Sequence, residues 1–229
     1  MPHLEFNLDG IAEMQTSMKI SSLDPVIAAG IAELAGVDAL GITSVDGQTE
    51  TVQYIISNSG IPLNWRLPIN EKSIESLMAF PPSKVTFIDP YQDNYCMDFR
   101  NAPDMKGFFS QVKRGQSRVI SVRIESDIKQ LKNAYKLGID QVEINSTTYA
   151  TASTPEIQIE ALEEITEIAQ VASKYEMGVT VCGGLNYRNF RALAAIETVD
   201  TLVVNRGVLG KAMFIGLENA LRDLMFLIR

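Results

Sequence analysis

At 229 residues, with 46% of them hydrophobic, the chain has material for one large core, and a single domain spanning 1–229 is expected, since several α/β architectures run to roughly 200–250 residues undivided. A formal net charge of −8 with no basic stripe excludes a nucleic-acid binder, whose affinity rests on clustered Lys and Arg. No uncharged apolar run reaches about 18 residues and no basic region leads into an apolar one, so neither a membrane span nor a secretory leader is read.

The first apolar run, LEFNL at 4–8, reads as a strand and ends on Asn7 and Asp9. DPVIAAGIAELAG follows from Asp24, where Val26/Ile27, Ile31 and Leu34 recur at near-helical spacing. Further strand-like runs are ALGIT at 39–43, LNWRL at 63–67, KVTFID at 84–89 and VISVRI at 119–124. QVEIN at 141–145, VTVC at 179–182 and TLVVN at 201–205 complete the series. The clearest helix is PEIQIEALEEITEIAQVASKYEMG, with Leu162, Ile165, Ala169 and Ala172 on one face. Thr154-Pro155 supplies its cap and first-turn proline.

GVDALGI at 36–42 and GIDQVEI at 138–144 echo each other, with VDTLVV at 199–204 a weaker copy. A glycine that ends a helix and leads directly into a strand is the mark of a repeated unit. Steady alternation of strand and helix implies a parallel sheet. Eight such units in this length point to a closed (β/α)8 TIM barrel with additional short helices; the alternative is an open doubly wound sheet, but no GxGxxG follows the first strand.

Chemistry on such a barrel sits at the C-terminal strand ends. There the sequence offers Asn7 and Asp9, Ser44 and Asp46, Asn64 to Arg66, Asp89, Arg123 and Glu125, Glu143 and Asn145, Cys182 to Gly184, and Asn205 to Gly207. The loop over 90–106 reads as a rim segment or as an ordinary surface loop. His3 is the only histidine in the chain, so acid–base chemistry would fall to carboxylates, Lys, Tyr, Cys or water. Glu143, within VEIN, either faces a ligand or forms an ion pair, with Arg123 on the preceding strand a possible partner.

The turns CGGLNYRNF and NRGVLGKAM follow the last two strands, where barrels hold phosphate on backbone N–H groups and a helix N-terminus. Gly183 and Gly184 serve either that purpose or a plain strand-to-helix turn with Asn186 as cap, and Arg206 adds a charged donor. Cys182 as a nucleophile would depend on the helix end or on Arg206. Trp65-Arg66 reads as a stacking platform or as an aromatic plug. Cys96 and Cys182 have no partners at metal-ligand spacing, so no metal, cofactor or disulfide is expected, and a reduced cytoplasmic setting fits.

The order NLDGIAEMQ, LDPVIAAGIAELAGVDALGIT, QVEINSTTYATA, VTVCGGLNYRNFRALAAI and TLVVNRGVLGKAMFIGLENAL resembles the pyridoxine 5′-phosphate synthase family over nearly the whole chain. The resemblance implies a (β/α)8 barrel, a homo-oligomer, typically an octamer, and condensation of 1-deoxy-D-xylulose 5-phosphate with 3-amino-2-oxopropyl phosphate. It places Asn7 and Asp9 at substrate-binding positions, Glu143 at the position that stabilises the transition state, and Gly184 at a ligand contact.

The family's histidine after that Asp is Gly10 here, its histidine after the second strand falls at or near Ser44, and its strand-three glutamate aligns with Trp65, with Arg66 adjoining. Gly-His-Gly becomes Cys182-Gly183-Gly184, and Gly-His in the eighth turn becomes Asn205-Arg206. The expectation is therefore a rim site for a small phosphorylated or anionic metabolite, serving a different reaction. Glu143 and Asp9 would be its acid–base groups, and Asn7, Arg66, Arg123, Asn145, Gly183, Gly184, Asn205 and Arg206 its binding groups. The alternatives are a non-catalytic barrel that binds a metabolite or a protein, and the parent synthesis carried by substitute residues.

Overall fold

The computed structural model describes residues 1–45, 49–99, 105–114 and 117–228. In chain order the elements are β1 (His3–Asn7), α1 (Asp9–Met18), α2 (Pro25–Ala35), β2 (Ala39–Thr43), α3 (Glu50–Asn58), β3 (Leu63–Pro68), α4 (Glu71–Ala79) and β4 (Lys84–Ile88). After a 3-10 turn at Asp93–Tyr95 come α5 (Met105–Lys113), β5 (Val119–Ile124), α6 (Ile128–Lys136), β6 (Gln141–Asn145), α7 (Thr147–Thr151) and α8 (Pro155–Lys174). The chain closes with β7 (Gly178–Cys182), α9 (Phe190–Ala194), β8 (Thr201–Val204), α10 (Arg206–Ile215) and α11 (Leu217–Met225).

The strands are parallel and close in sequence order into an eight-stranded barrel, with β1 paired to both β2 and β8. All eight runs read from the sequence are strands, each displaced by no more than a residue at either end. Helices α1, α7 and α11 stand beside the main helices of their units and are the additional short ones. Asp46 and residues 100–104 of the long loop lie outside the described residues.

Local chemistry accounts for the helix starts. Asp24 accepts a hydrogen bond from the Val26 N–H at the start of α2, and Thr154 accepts one from Ile157 at the start of α8, each followed by a proline. Such caps satisfy N–H groups that have no partner within the helix. Helix α8 buries Ala161, Ile165, Ile168, Ala169 and Ala172, close to the face read from the sequence. Helix α2 packs otherwise. Its buried side is Ala28, Ala29, Ala32 and Ala35, while Ile27 and Leu34 point to solvent, 57% and 72% exposed. The alanines let α2 lie close to its neighbours, which leaves the large residues outside.

Side chains alternate across each strand. Leu4, Phe6, Trp65, Val122 and Ile144 are buried, alternating with inward residues such as Glu5, Arg66 and Glu143. Barrel interiors are dominated by bulky branched residues as a rule. Here the interior instead carries Glu5, Asn64, Arg66, Thr86, Ser121, Glu143 and Thr180, all buried, with Lys84 reaching Thr180 at 3.0 Å.

Candidate functional site

The inward residues form a continuous row of ion pairs. Glu5 on β1 accepts from Asn64 Nδ2 at 3.1 Å and from Arg66 Nη2 at 2.6 Å. Arg66 on β3 then crosses the barrel to Glu143 on β6, with Nε–Oε1 at 3.1 Å and Nη2–Oε2 at 2.6 Å. Glu143 Oε1 also accepts from Arg123 Nε on β5 at 2.6 Å, with Arg123 Nη2 on the same oxygen. Glu5, Arg66 and Glu143 are fully enclosed, and Arg123 retains 13% side-chain exposure. Gly41 makes the row possible, because a Cβ there would collide with Arg66 Nη1 and Glu5 Oε1.

Burial alone would raise the Glu143 carboxyl, but Arg123 and Arg66 outweigh it and hold the group well below the usual carboxylate range. The same carboxylates, Glu143 and Glu5, overcome burial at Arg66 and keep its guanidinium charged. Both Glu143 oxygens are thus occupied by guanidinium donors. Of the two readings open for Glu143 in the sequence, the observed geometry is the ion pair.

Above the end of this row lies a cavity of about 500 Å³ at the C-terminal rim. Asn7, Asp9, Arg123, Gly183, Gly184, Asn205 and Arg206 line it, so seven of the ten residues singled out from the sequence come together there. Glu143, Arg66 and Asn145 do not. The first two lie beneath it in the ion row. Asn145 is 5% exposed and holds Glu125 through Nδ2 at 2.9 Å and Thr147 Oγ1 through Oδ1 at 2.7 Å. Glu13, Tyr95, Cys182 and Gly207 also line the cavity.

Asp9 is held by neutral donors. Its Oδ1 accepts from the Thr43 N–H at 2.7 Å, and Oδ2 accepts from Thr43 Oγ1 at 2.6 Å and Asn7 Nδ2 at 3.0 Å. Asn205 Oδ1 accepts the Gly10 N–H at 3.0 Å, tying β8 to α1. Arg206 pairs with Glu13 at the mouth, both mostly in water. Burial pushes the Cys182 thiol far above its ordinary range, leaving it a poor nucleophile.

Gly183 and Gly184 have φ of +107° and +70°, a region open mainly to glycine. A Cβ on Gly183 would sit 2.6 Å from Asn145 Oδ1 and 2.8 Å from Thr147 Oγ1, and one on Gly10 would overlap Asn205 Oδ1. Their neighbours therefore occupy the space that a side chain at 10 or 183 would need. Asn186 is not the cap of the following helix: it accepts from the Arg188 N–H at 2.9 Å in a local turn, and α9 begins only at Phe190.

Trp65 takes neither role read for it. It faces outward between strand and helices, is fully buried, and donates from Nε1 to Ser44 Oγ at 3.1 Å. The inward position on this strand next to Trp65 is Arg66. Glu5 was missed altogether, although its spacing of two from Asn7 on one strand was a usable signal.

The sequence matches, over residues 4–229, the family described as pyridoxal phosphate biosynthesis protein PdxJ. It is 27% identical to pyridoxine 5′-phosphate synthase of Geotalea daltonii, covering 100% of this chain and 99% of the relative. It is 28% identical to the enzyme of the same name from Parasynechococcus marenigrum, covering 100% and 95%. In fold it is similar to KGPDC from Streptococcus mutans, with TM-score 0.67, 16% identity and coverage of 100% and 97%. TrpF from Jonesia denitrificans is similar at TM-score 0.61, 10% identity and coverage of 100% and 97%.

Proposed function

The chain belongs to the PdxJ family, and from that premise we propose that it is a pyridoxine 5′-phosphate synthase-like barrel that binds a small phosphorylated metabolite at its rim and carries out different chemistry. The reading rests on positions 10 and 183, where the resemblance puts histidines and the chain has glycines whose Cβ space is filled by Asn205, Asn145 and Thr147. The parent condensation needs several proton transfers, each typically aided 10²–10⁴-fold by a positioned acid or base. A site without those groups retains binding before it retains that reaction.

The phosphate would lie on the backbone N–H groups of Gly183 and Gly184 and at the N-terminus of α10, with Arg206 beside it. The purified chain, supplied with the two family substrates, is expected to form no pyridoxine 5′-phosphate while phosphate and sugar phosphates raise its melting temperature. Formation of that product overturns the proposed change of chemistry. A non-catalytic metabolite-binding role is a second reading, favoured by the donors that already hold Asp9 and both oxygens of Glu143.

We further propose a homo-oligomer in the cytoplasm, acting without a cofactor or metal. Met213 on α10, 73% exposed, and Ile27 of α2 line an apolar groove with Met14, Ile31 and Leu217, and the next residue on α10, Phe214, is 89% exposed. Such a face is a natural contact between copies. Two free, buried cysteines suit a reducing compartment. Among the described residues no helix is long and apolar enough to cross a membrane.

A further inference from the structure

The row Glu5, Arg66, Glu143, Arg123 alternates in charge, and its two ends differ. The Glu5 end lies inside the barrel, held by the Asn64 amide with the buried Lys84 ammonium nearby. At the other end Arg123 reaches the floor of the rim cavity with part of its guanidinium exposed. The row therefore presents a positive pole to the cavity. Glu143 is held in turn by Arg66, so its charge is shared between two guanidiniums.

Arg123 has five N–H donors in a planar fork. The side-on pair, Nε and Nη2, is committed to Glu143, and Nη1 reaches the Asn94 carbonyl at 3.4 Å. The remaining end-on pair on Nη1 and Nη2 matches a planar carboxylate, which a guanidinium binds through two parallel hydrogen bonds. Other charged groups line the same cavity: Asp9, Glu13 and Arg206. Asp9 is held by the neutral donors of Thr43 and Asn7, and Arg206 is paired with Glu13 Oε2 at the mouth, so Arg123 is the inner cation of the cavity.

We propose that the rim cavity takes a ligand with two anionic ends, a phosphate at the Gly183–Gly184 turn and a carboxylate on Arg123: a small phosphorylated carboxylic acid. The proposal rests on the phosphate reading above and adds its second end. Strands β5 and β7 are separated by β6, which puts their axes about 10 Å apart. The long Arg123 side chain shortens that span, so a few carbons join the two groups. A cavity of about 500 Å³ holds such a molecule with room to spare.

Calorimetric titration with 3-phosphoglycerate and with glycerol 3-phosphate tests it, because the two share a skeleton and differ in the carboxylate. The expected result is binding of the acid about tenfold or more tighter, with the ratio of the two affinities falling to about one in Arg123→Met. Equal affinity of wild type for both overturns the carboxylate end and leaves phosphate binding standing. A preference that survives in Arg123→Met also overturns it, since net charge alone would then be responsible. Failure of both ligands and of inorganic phosphate to bind overturns it together with the phosphate reading. The wild-type comparison decides even if Arg123→Met fails to fold, and Arg123→Lys, which keeps the charge without the fork, is expected to retain only part of the preference.

Discussion

Arg66 and Glu143 meet across the interior of the barrel, from strands that are not neighbours, through two hydrogen bonds of 3.1 and 2.6 Å, with neither side chain exposed. Such a pair fixes β3 against β6, and its value is asymmetric. Taking one partner away leaves the other buried and uncompensated.

Glu143→Ala strands two guanidiniums, Arg66 and Arg123. A loss of about 3–5 kcal/mol of stability is expected, the range for breaking a buried pair. Denaturant unfolding measures it. A loss below about 1 kcal/mol, the worth of an exposed pair, would show that water reaches the row.

Stability should fall in acid through the same residue. The folded Glu143 carboxyl is held below its ordinary range, mainly by Arg123 and Arg66 against the opposing effect of burial. Its contribution is therefore complete above the unfolded value of about 4.3 and declines as pH falls from there towards the folded value. Unfolding free energy between about pH 6 and pH 3 should drop less steeply in Glu143→Gln than in wild type. Parallel curves would contradict this.

Placing histidine at 183 should damage the fold. The position combines a left-handed backbone with Asn145 Oδ1 and Thr147 Oγ1 where a Cβ would stand. Strain and overpacking cost about 1–3 kcal/mol each, so Gly183→His is expected to lose at least about 2 kcal/mol on those figures. A melting temperature equal to wild type would show that the turn can repack.

Sedimentation velocity tests the apolar face. With Phe214 89% exposed and following the groove residue Met213 in sequence, Phe214→Glu is expected to shift the protein towards monomer with little change in its circular dichroism. A wild type that is monomeric at micromolar concentration contradicts the oligomer.

Much of the architecture was legible because strand and helix periods differ and each strand is bounded by turn residues. The site was legible in part. Asn7, Asp9, Arg123, Gly183, Gly184, Asn205 and Arg206 end strands or open helices, and the barrel brings such positions together. The ion pair of Glu143 with Arg123 was one of two readings the sequence left open, whereas the depth of Arg66 was set by register, which spacing alone does not show. The spacing of Ile27 and Leu34 revealed a helix at α2 but not which side it buries, which the four small alanines decide. Glu5 became meaningful only once β1 was known to face β3 across an interior that Gly41 leaves open.

The most direct test of the central claim, that the rim cavity of this PdxJ-family barrel is a phosphate-binding site, is a calorimetric titration of the purified chain with inorganic phosphate. Saturable binding at one site per chain, weakened several-fold in Arg206→Ala with little loss of stability, is the predicted result, since the Arg206–Glu13 pair is largely exposed. Heats no greater than dilution across the titration would contradict it.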